Sequence, residues 1–121
     1  MKITDVTVTL FEWNDIPMKS YDHAVKAITS SSDLGLVRIQ TDEGVEGHAL
    51  LGLCVHPASL EAPYIIRFLK PILMGQNPLD RAILFHRMSH MRAQVSTLAV
   101  CAVDIALWDL AGKISGLPIH A

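Results

Sequence analysis

Five groups of residues have the types and spacing to do chemistry. His86 and His90 stand four apart in His86-Arg-Met-Ser-His90, one turn of a helix, a spacing that can chelate a metal. The run lacks the glutamate of a zincin and no third ligand stands out, so the last turn of a helix, which favours His through the dipole, is the simpler account. Asp104 and Asp109 could be imagined as an acid/base pair, but five residues place them about 140° apart around a helix. Asp104 is expected to be hydrogen-bonded internally, because a carboxylate in so apolar a segment needs a partner. Tyr21, Asp22 and His23 cluster in a polar stretch, and His56 sits in a second, shorter one. Cys54 and Cys101 are isolated. With no Cys-x-x-Cys and no disulfide framework, a reducing cytoplasm is the expected compartment, and Cys101 reads as a small core residue.

The elements that must position these groups follow from the hydrophobic pattern. In residues 2–11, Val6, Val8 and Leu10 fall on one face and Asp5, Thr7 and Thr9 on the other, a half-buried strand. Leu34–Thr41 and Val45–Leu51 read as two more strands, joined through Thr41-Asp-Glu-Gly44 as a hairpin. Between Trp13 and Asp33 lies a loop of about twenty residues, a length that is usually functional or disordered; residues 52–58 form a second loop. Loops on a rigid scaffold commonly carry function, which makes His23, His56, Tyr21 and Trp13 the candidate substrate contacts. Trp13 could equally cover the core.

Three helices follow. Ser59 can cap the first, which runs to about Leu69 before Pro71 and Gly75 close it. Asn77-Pro78-Leu79-Asp80 is a start signal, with Asn as cap and Pro in the first helical position, for a helix to about His90. Ser96 or Thr97 begins the third, which ends near Ser115 with Gly116 and Pro118 beyond. The class is α+β, a three-stranded antiparallel meander followed by three helices, in one domain spanning 1–121.

Composition bounds the function. Half of the 121 residues are hydrophobic and 18 % are charged, with a mean hydropathy of +0.34. This is an apolar balance for a small domain, which has the most surface to cover with polar groups. The longest apolar stretch, Leu98–Ala111, is broken by Asp104 and Asp109 and falls short of a bilayer span. Residues 1–5 lack the apolar core of a signal peptide. A net charge of −2 with scattered Lys and Arg gives no footprint for nucleic acid. The third helix is apolar all round, which predicts burial on every side. A domain of this size covers such a helix on one face, so the chain is expected to bury it against a partner.

From Ala99 to Ile119 the residues resemble the N-terminal signature of the mandelate racemase/muconate lactonizing enzyme family of the enolase superfamily. The pattern is Asp104, Trp108-Asp109, Lys113 and Gly116-Leu-Pro118. Val37–Gly47 resembles that family's second hairpin, and Leu69–Pro78 its first helix end and Pro-initiated second helix. Part of the signature has a physical reason: Asp109 precedes Lys113 by four, the favourable order for a helical ion pair. Where many members carry an aromatic-Gly-Glu segment after the third strand's glycine, this chain has Glu46-Gly47-His48-Ala49.

The resemblance implies a capping domain over a TIM-type barrel whose strand ends carry the catalytic residues. It implies Mg²⁺ held by barrel carboxylates and removal of a proton alpha to a carboxylate. The outcome would be dehydration of an acid sugar, racemisation or cycloisomerisation. The chain stops about where the first barrel strand should begin, so none of its residues is assigned as catalytic or as a metal ligand. The fragment alone is expected to be inactive and to bind no cofactor. The expected partners are the C-terminal barrel, a small carboxylate or acid-sugar substrate, and further copies in a homo-oligomer. The alternative is a free-standing interaction module that docks through its apolar third helix.

Overall fold

The computed structural model describes residues 1–13, 32–52 and 57–120. Strands β1 (Ile3–Trp13), β2 (Ser32–Thr41) and β3 (Glu46–Leu51) form an antiparallel sheet in the order β1-β2-β3. Val8 faces Val37, and Ile39 lies between Val6 and Gly47. Because the side-chain period is two, this register collects Val6, Val37, Ile39, Ala49 and Leu51 on one buried face. The hairpin turns at Gly44, whose φ of +79° suits a residue without Cβ. Thr41 Oγ1 closes the turn by donating to Val45 O at 2.8 Å. Leu10 points to the core side opposite Gly35 yet stays 47 % exposed. The expected buried stripe of β1 therefore fades towards the loop end.

The first helical rod is longer than the sequence predicts. It comprises α1 (Ala58–Tyr64), a π-helical turn (Ile65–Leu69) and α2 (Lys70–Leu73). Ser59 lies inside it rather than capping it, and Pro57 is the N-cap. Pro71 does not end the rod. The Lys70 N–H reaches back five residues to Ile65 O, and this wide turn accommodates the missing N–H of the proline that follows. Ile65, Leu69 and Leu73 are all fully buried. Gly75, at φ +74°, terminates the rod; its N–H donates to Ile3 O and Gln76 O accepts from Ile3 N–H, both at 2.9 Å.

Helix α3 (Arg81–Ser89) starts later than expected. Asn77 accepts from Leu79 N–H through its side chain and from Asp80 N–H through its carbonyl, both at 3.1 Å. The Asn-Pro segment is thus a turn, and Asp80 is the N-cap. Helix α4 (Thr97–Ser115) matches its expected bounds: Ser96 Oγ accepts from Ala99 N–H at 3.2 Å, and Gly116 ends the helix at φ +66°. Ser96 Oγ also donates to Glu61 Oε2 at 2.6 Å, which partners the buried carboxylate of α1.

On α4 the coverage of one face is as expected, and the assignment of Cys101 to the core fails. Ala99, Val103, Ala106, Leu107 and Leu110 are buried against the sheet and the first rod, but Leu98, Cys101, Ile105 and Trp108 form an exposed stripe. The helix is therefore covered on one side only, and Cys101 is exposed, not a core residue. The physical reason is supply: one three-stranded sheet face and two helical segments wrap only one side of a 19-residue helix. No helix among the described residues is long and apolar enough to cross a membrane.

Candidate functional site

Both loops read as functional leave from one end of the sheet. Trp13 and Ser32, the roots of the long loop, pair across β1 and β2. Leu51, which leads into the short loop, pairs with Gly35 three residues from Ser32. The topology forces this, since an antiparallel meander returns β3 to the end at which β1 finished. The roots are held tightly. Asp33 Oδ1 accepts from Ser59 N–H at 3.2 Å, so β2 supplies one of the acceptors that the first turn of α1 needs. Gly52 has φ +107°. A Cβ there would sit 3.1 Å from both Asp33 O and Ala58 N, and one on Gly35 would sit 3.0 Å from Val8 and 3.1 Å from Ala58. The positive φ favours glycine at Gly52, and at Gly35 any Cβ would press on the Val8 and Ala58 side chains. The signal was an isolated glycine in a strand pattern.

Tyr21, His23 and His56, the expected substrate contacts, lie outside the described residues, as does the side chain of Trp13; Cys54 lies outside them too. Beside the loop roots, the sheet face turned away from the core is apolar. Phe11 pairs with Leu34 and Leu50 with Leu36, and Phe11 and Leu50 are 52 % and 68 % exposed. The alternation rule hides this patch, because β2 carries apolar residues on both faces there.

The other end of that face is charged. Arg38 forms a two-pronged ion pair with Glu46, and Gln40 adds a hydrogen bond to the same carboxylate. These contacts, Arg38 first, hold Glu46 below the usual carboxylate range and Arg38 above its own. Asp5 is likewise lowered, chiefly by Lys70 Nζ at 2.5 Å.

The network reaches α4 at the open edge of β3. Asp109 Oδ2 accepts from His48 N–H at 2.8 Å and from Lys113 Nζ at 2.6 Å, while Lys113 Nζ donates to Glu46 O at 2.9 Å. An edge strand leaves a row of unpaired N–H and C=O groups, and the Asp109–Lys113 pair satisfies one of each. Burial pushes the Asp109 carboxyl up, but the hydrogen bonds from Lys113 and the His48 N–H, with the charge of Lys113, outweigh it and hold the group low. The ion pair expected from the sequence is present. Its docking onto β3 was not legible, because it depends on which strand lies at the edge. His48, where the chain departs from the family pattern, stands within this network, its ring 3.2 Å from Lys113 Nζ.

Asp104 faces a different environment. Burial raises its carboxyl, opposed by the charge of Arg81 and by the neighbouring Trp108. Arg81 stacks over the Trp108 ring at 3.1 Å, so Asp104 and Asp109 belong to separate clusters. His86 and His90 meet, with 3.1 Å between their Nε2 atoms. No three His, Cys, Asp or Glu side chains converge among the described residues. The arrangement clamps α4 to the sheet and holds the chain segments from which residues 14–31 and 53–56 leave.

Comparison with known proteins agrees with the geometry. The family model for the mandelate racemase/muconate lactonizing enzyme N-terminal domain matches residues 3–121. A D-galactonate dehydratase family member from Pseudarthrobacter chlorophenolicus is 31 % identical over 107 residues, covering 85 % of this chain and 26 % of its own. A cis-3-hydroxy-L-proline dehydratase from Roseibium aggregatum is 31 % identical over 126 residues, covering 99 % of this chain and 33 % of its own. The structure of a mandelate racemase/muconate lactonizing protein from Paracoccus denitrificans PD1222, complexed with magnesium, superposes with a TM-score of 0.69 at 30 % identity. That match covers 98 % of this chain and 29 % of the other. The chain thus spans a third or less of the length of these relatives.

Proposed function

The chain belongs to the mandelate racemase/muconate lactonizing enzyme family of the enolase superfamily as its N-terminal domain, and from that premise we propose that it caps the active site of a longer, Mg²⁺-dependent enzyme. The complete protein abstracts the proton alpha to a carboxylate, with dehydration of an acid sugar as the favoured outcome over racemisation or cycloisomerisation. The observation that carries the reading is the emergence of both loops from one end of the sheet. A rigid meander with glycine-tight roots is a platform for loops that close over a substrate, and the exposed Phe11–Leu50 patch beside them is a surface to be covered.

On this reading His23, His56, Tyr21 and Trp13 contact the substrate and help select it. The described residues do not fit a Mg²⁺ site, which takes hard oxygen ligands: Asp109, Glu46 and Asp5 are committed to cations of the chain itself. On this reading the metal ligands and the base belong to the barrel. The enzyme is cytoplasmic and homo-oligomeric.

The test is the mass and activity of the gene product. A product near three times 13.3 kDa that converts acid sugars to 2-keto acids only with Mg²⁺ supports the proposal. In it, His23→Ala and His56→Ala raise KM more than they lower kcat, and the 121-residue chain alone shows no turnover. A product of 13.3 kDa sinks the reading and favours a free-standing module docked through the exposed stripe of α4.

A further inference from the structure

We propose that His86 and His90 form a surface chelate for a divalent ion of the nickel, copper and zinc group, separate from any Mg²⁺ chemistry. Their Nε2 atoms are 3.1 Å apart and the rings meet edge to face, with centroids 4.5 Å apart. With metal–nitrogen bonds of about 2.0–2.1 Å, that separation closes a nitrogen–metal–nitrogen angle of about 95–100°. This lies between the right angle of tetragonal coordination and the tetrahedral angle, so the spacing of the two nitrogens suits one shared ion once the proton between them moves to Nδ1.

The simpler account, dipole stabilisation at the end of α3, asks for a positive imidazole. Two rings at this distance cannot both be charged without strong repulsion. A borderline metal instead takes two neutral imidazoles, each turning an Nε2 lone pair to the ion and keeping its proton on Nδ1. Arg87, the cation on the same turn, is drawn to Gln76 Oε1 at 3.2 Å. Both rings border a groove of about 430 Å³ that Gln76 and Met91 also line, with room for water to complete the coordination. Mg²⁺ prefers oxygen and does not compete.

The experiment uses the complete gene product in millimolar Mg²⁺ at pH 7.5, titrated separately with Cu²⁺, Ni²⁺ and Zn²⁺. The wild type binds one equivalent that His86→Gln and His90→Gln each weaken at least tenfold, whereas His120→Gln changes nothing. The Cu²⁺ spectrum shows two imidazole nitrogens in the wild type and one in either variant. The proposal is overturned if both variants titrate like the wild type, or if only one of them weakens, which marks a single adventitious ligand. Circular dichroism confirms that the variants fold, as expected for exposed side chains.

Discussion

Replacing Gly47 by alanine should separate α4 from β3. A Cβ at Gly47 would lie 2.1 Å from Ala106 O and 2.8 Å from Leu110 Cβ. A carbon–oxygen contact needs about 3.3 Å, so the helix must retreat by about 1 Å. The obstacle is a backbone carbonyl in mid-helix, which has no rotamer to change. A gap of that size forfeits about a quarter to a half of the dispersion energy at each contact it opens. It opens them along Val103, Ala106, Leu107 and Leu110, all buried. It also stretches the 2.8 Å bond from His48 N–H to Asp109. Overpacking costs about 1–3 kcal/mol, and the rigid obstacle puts this case at about 3. Urea unfolding of the 121-residue chain, followed by far-UV circular dichroism, reads the effect. With a slope near 1.5 kcal/mol per molar, the midpoint falls by about 2 M. Gly44→Ala is the control. Gly44 has φ +79° and nothing within 4 Å of its added Cβ, so it bears only the backbone cost, about 1–2 kcal/mol. A Gly47→Ala midpoint no lower than that of Gly44→Ala would refute the packing argument.

Three further substitutions probe the charged groups. Asp109→Asn weakens the acceptor for both His48 N–H and Lys113, and should cost about 1–2 kcal/mol, since a hydrogen bond to a charged group is worth about 1.5–3 and this one is partly solvated. The folded Asp109 carboxyl is held low, so its contribution is complete above the unfolded value, about 3.9, and is lost as pH falls through the folded one; acid melts of the variant should be shallower below about pH 4. Asp104 has the opposite sign: burial raises it, its ionisation opposes folding at neutral pH, and Asp104→Asn should raise the Tm at pH 7 by the equivalent of about 0.5 kcal/mol, a gain that disappears in acid. Asp33→Ala removes the acceptor for Ser59 N–H and should cost about 1 kcal/mol in a urea melt, as loss of a helix cap does.

What the sequence showed and what it hid divide along a physical line. The strands, the hairpin and the ends of α4 were legible because they depend on local chemistry: alternation, a Gly-containing turn, a serine cap and a left-handed glycine. The start of α3 was misread because Asn77 and Pro78 suit a turn as well as a helix start. The end of the first rod was misread because Pro71 signals a break unless a π turn precedes it. Cys101 was assigned to the core because composition reports that a helix is apolar and not which side its neighbours occupy.

The same line runs through the residues that dock α4, several of them in the family signature. Asp109 and Lys113 close the edge of β3, Gly47 admits the helix to within backbone contact, and Ser96 and Gly116 cap its two ends. Each feature fixes how α4 docks, and none touches the end of the sheet from which the loops leave. Docking demands particular residues at particular places, so a short motif carries it. The loops need only secure roots, which Gly35, Gly52 and Asp33 supply without constraining what lies between. Resemblance over the whole domain is therefore strong evidence for architecture and weak evidence for substrate. Exchanging residues 14–31 between two relatives that keep these root residues should change substrate preference while leaving the urea midpoint within about 0.5 kcal/mol of the parent, the range of a surface change. A loss of stability well beyond that range would show that the loop contributes to the core, and the separation of roles argued from the roots would fail.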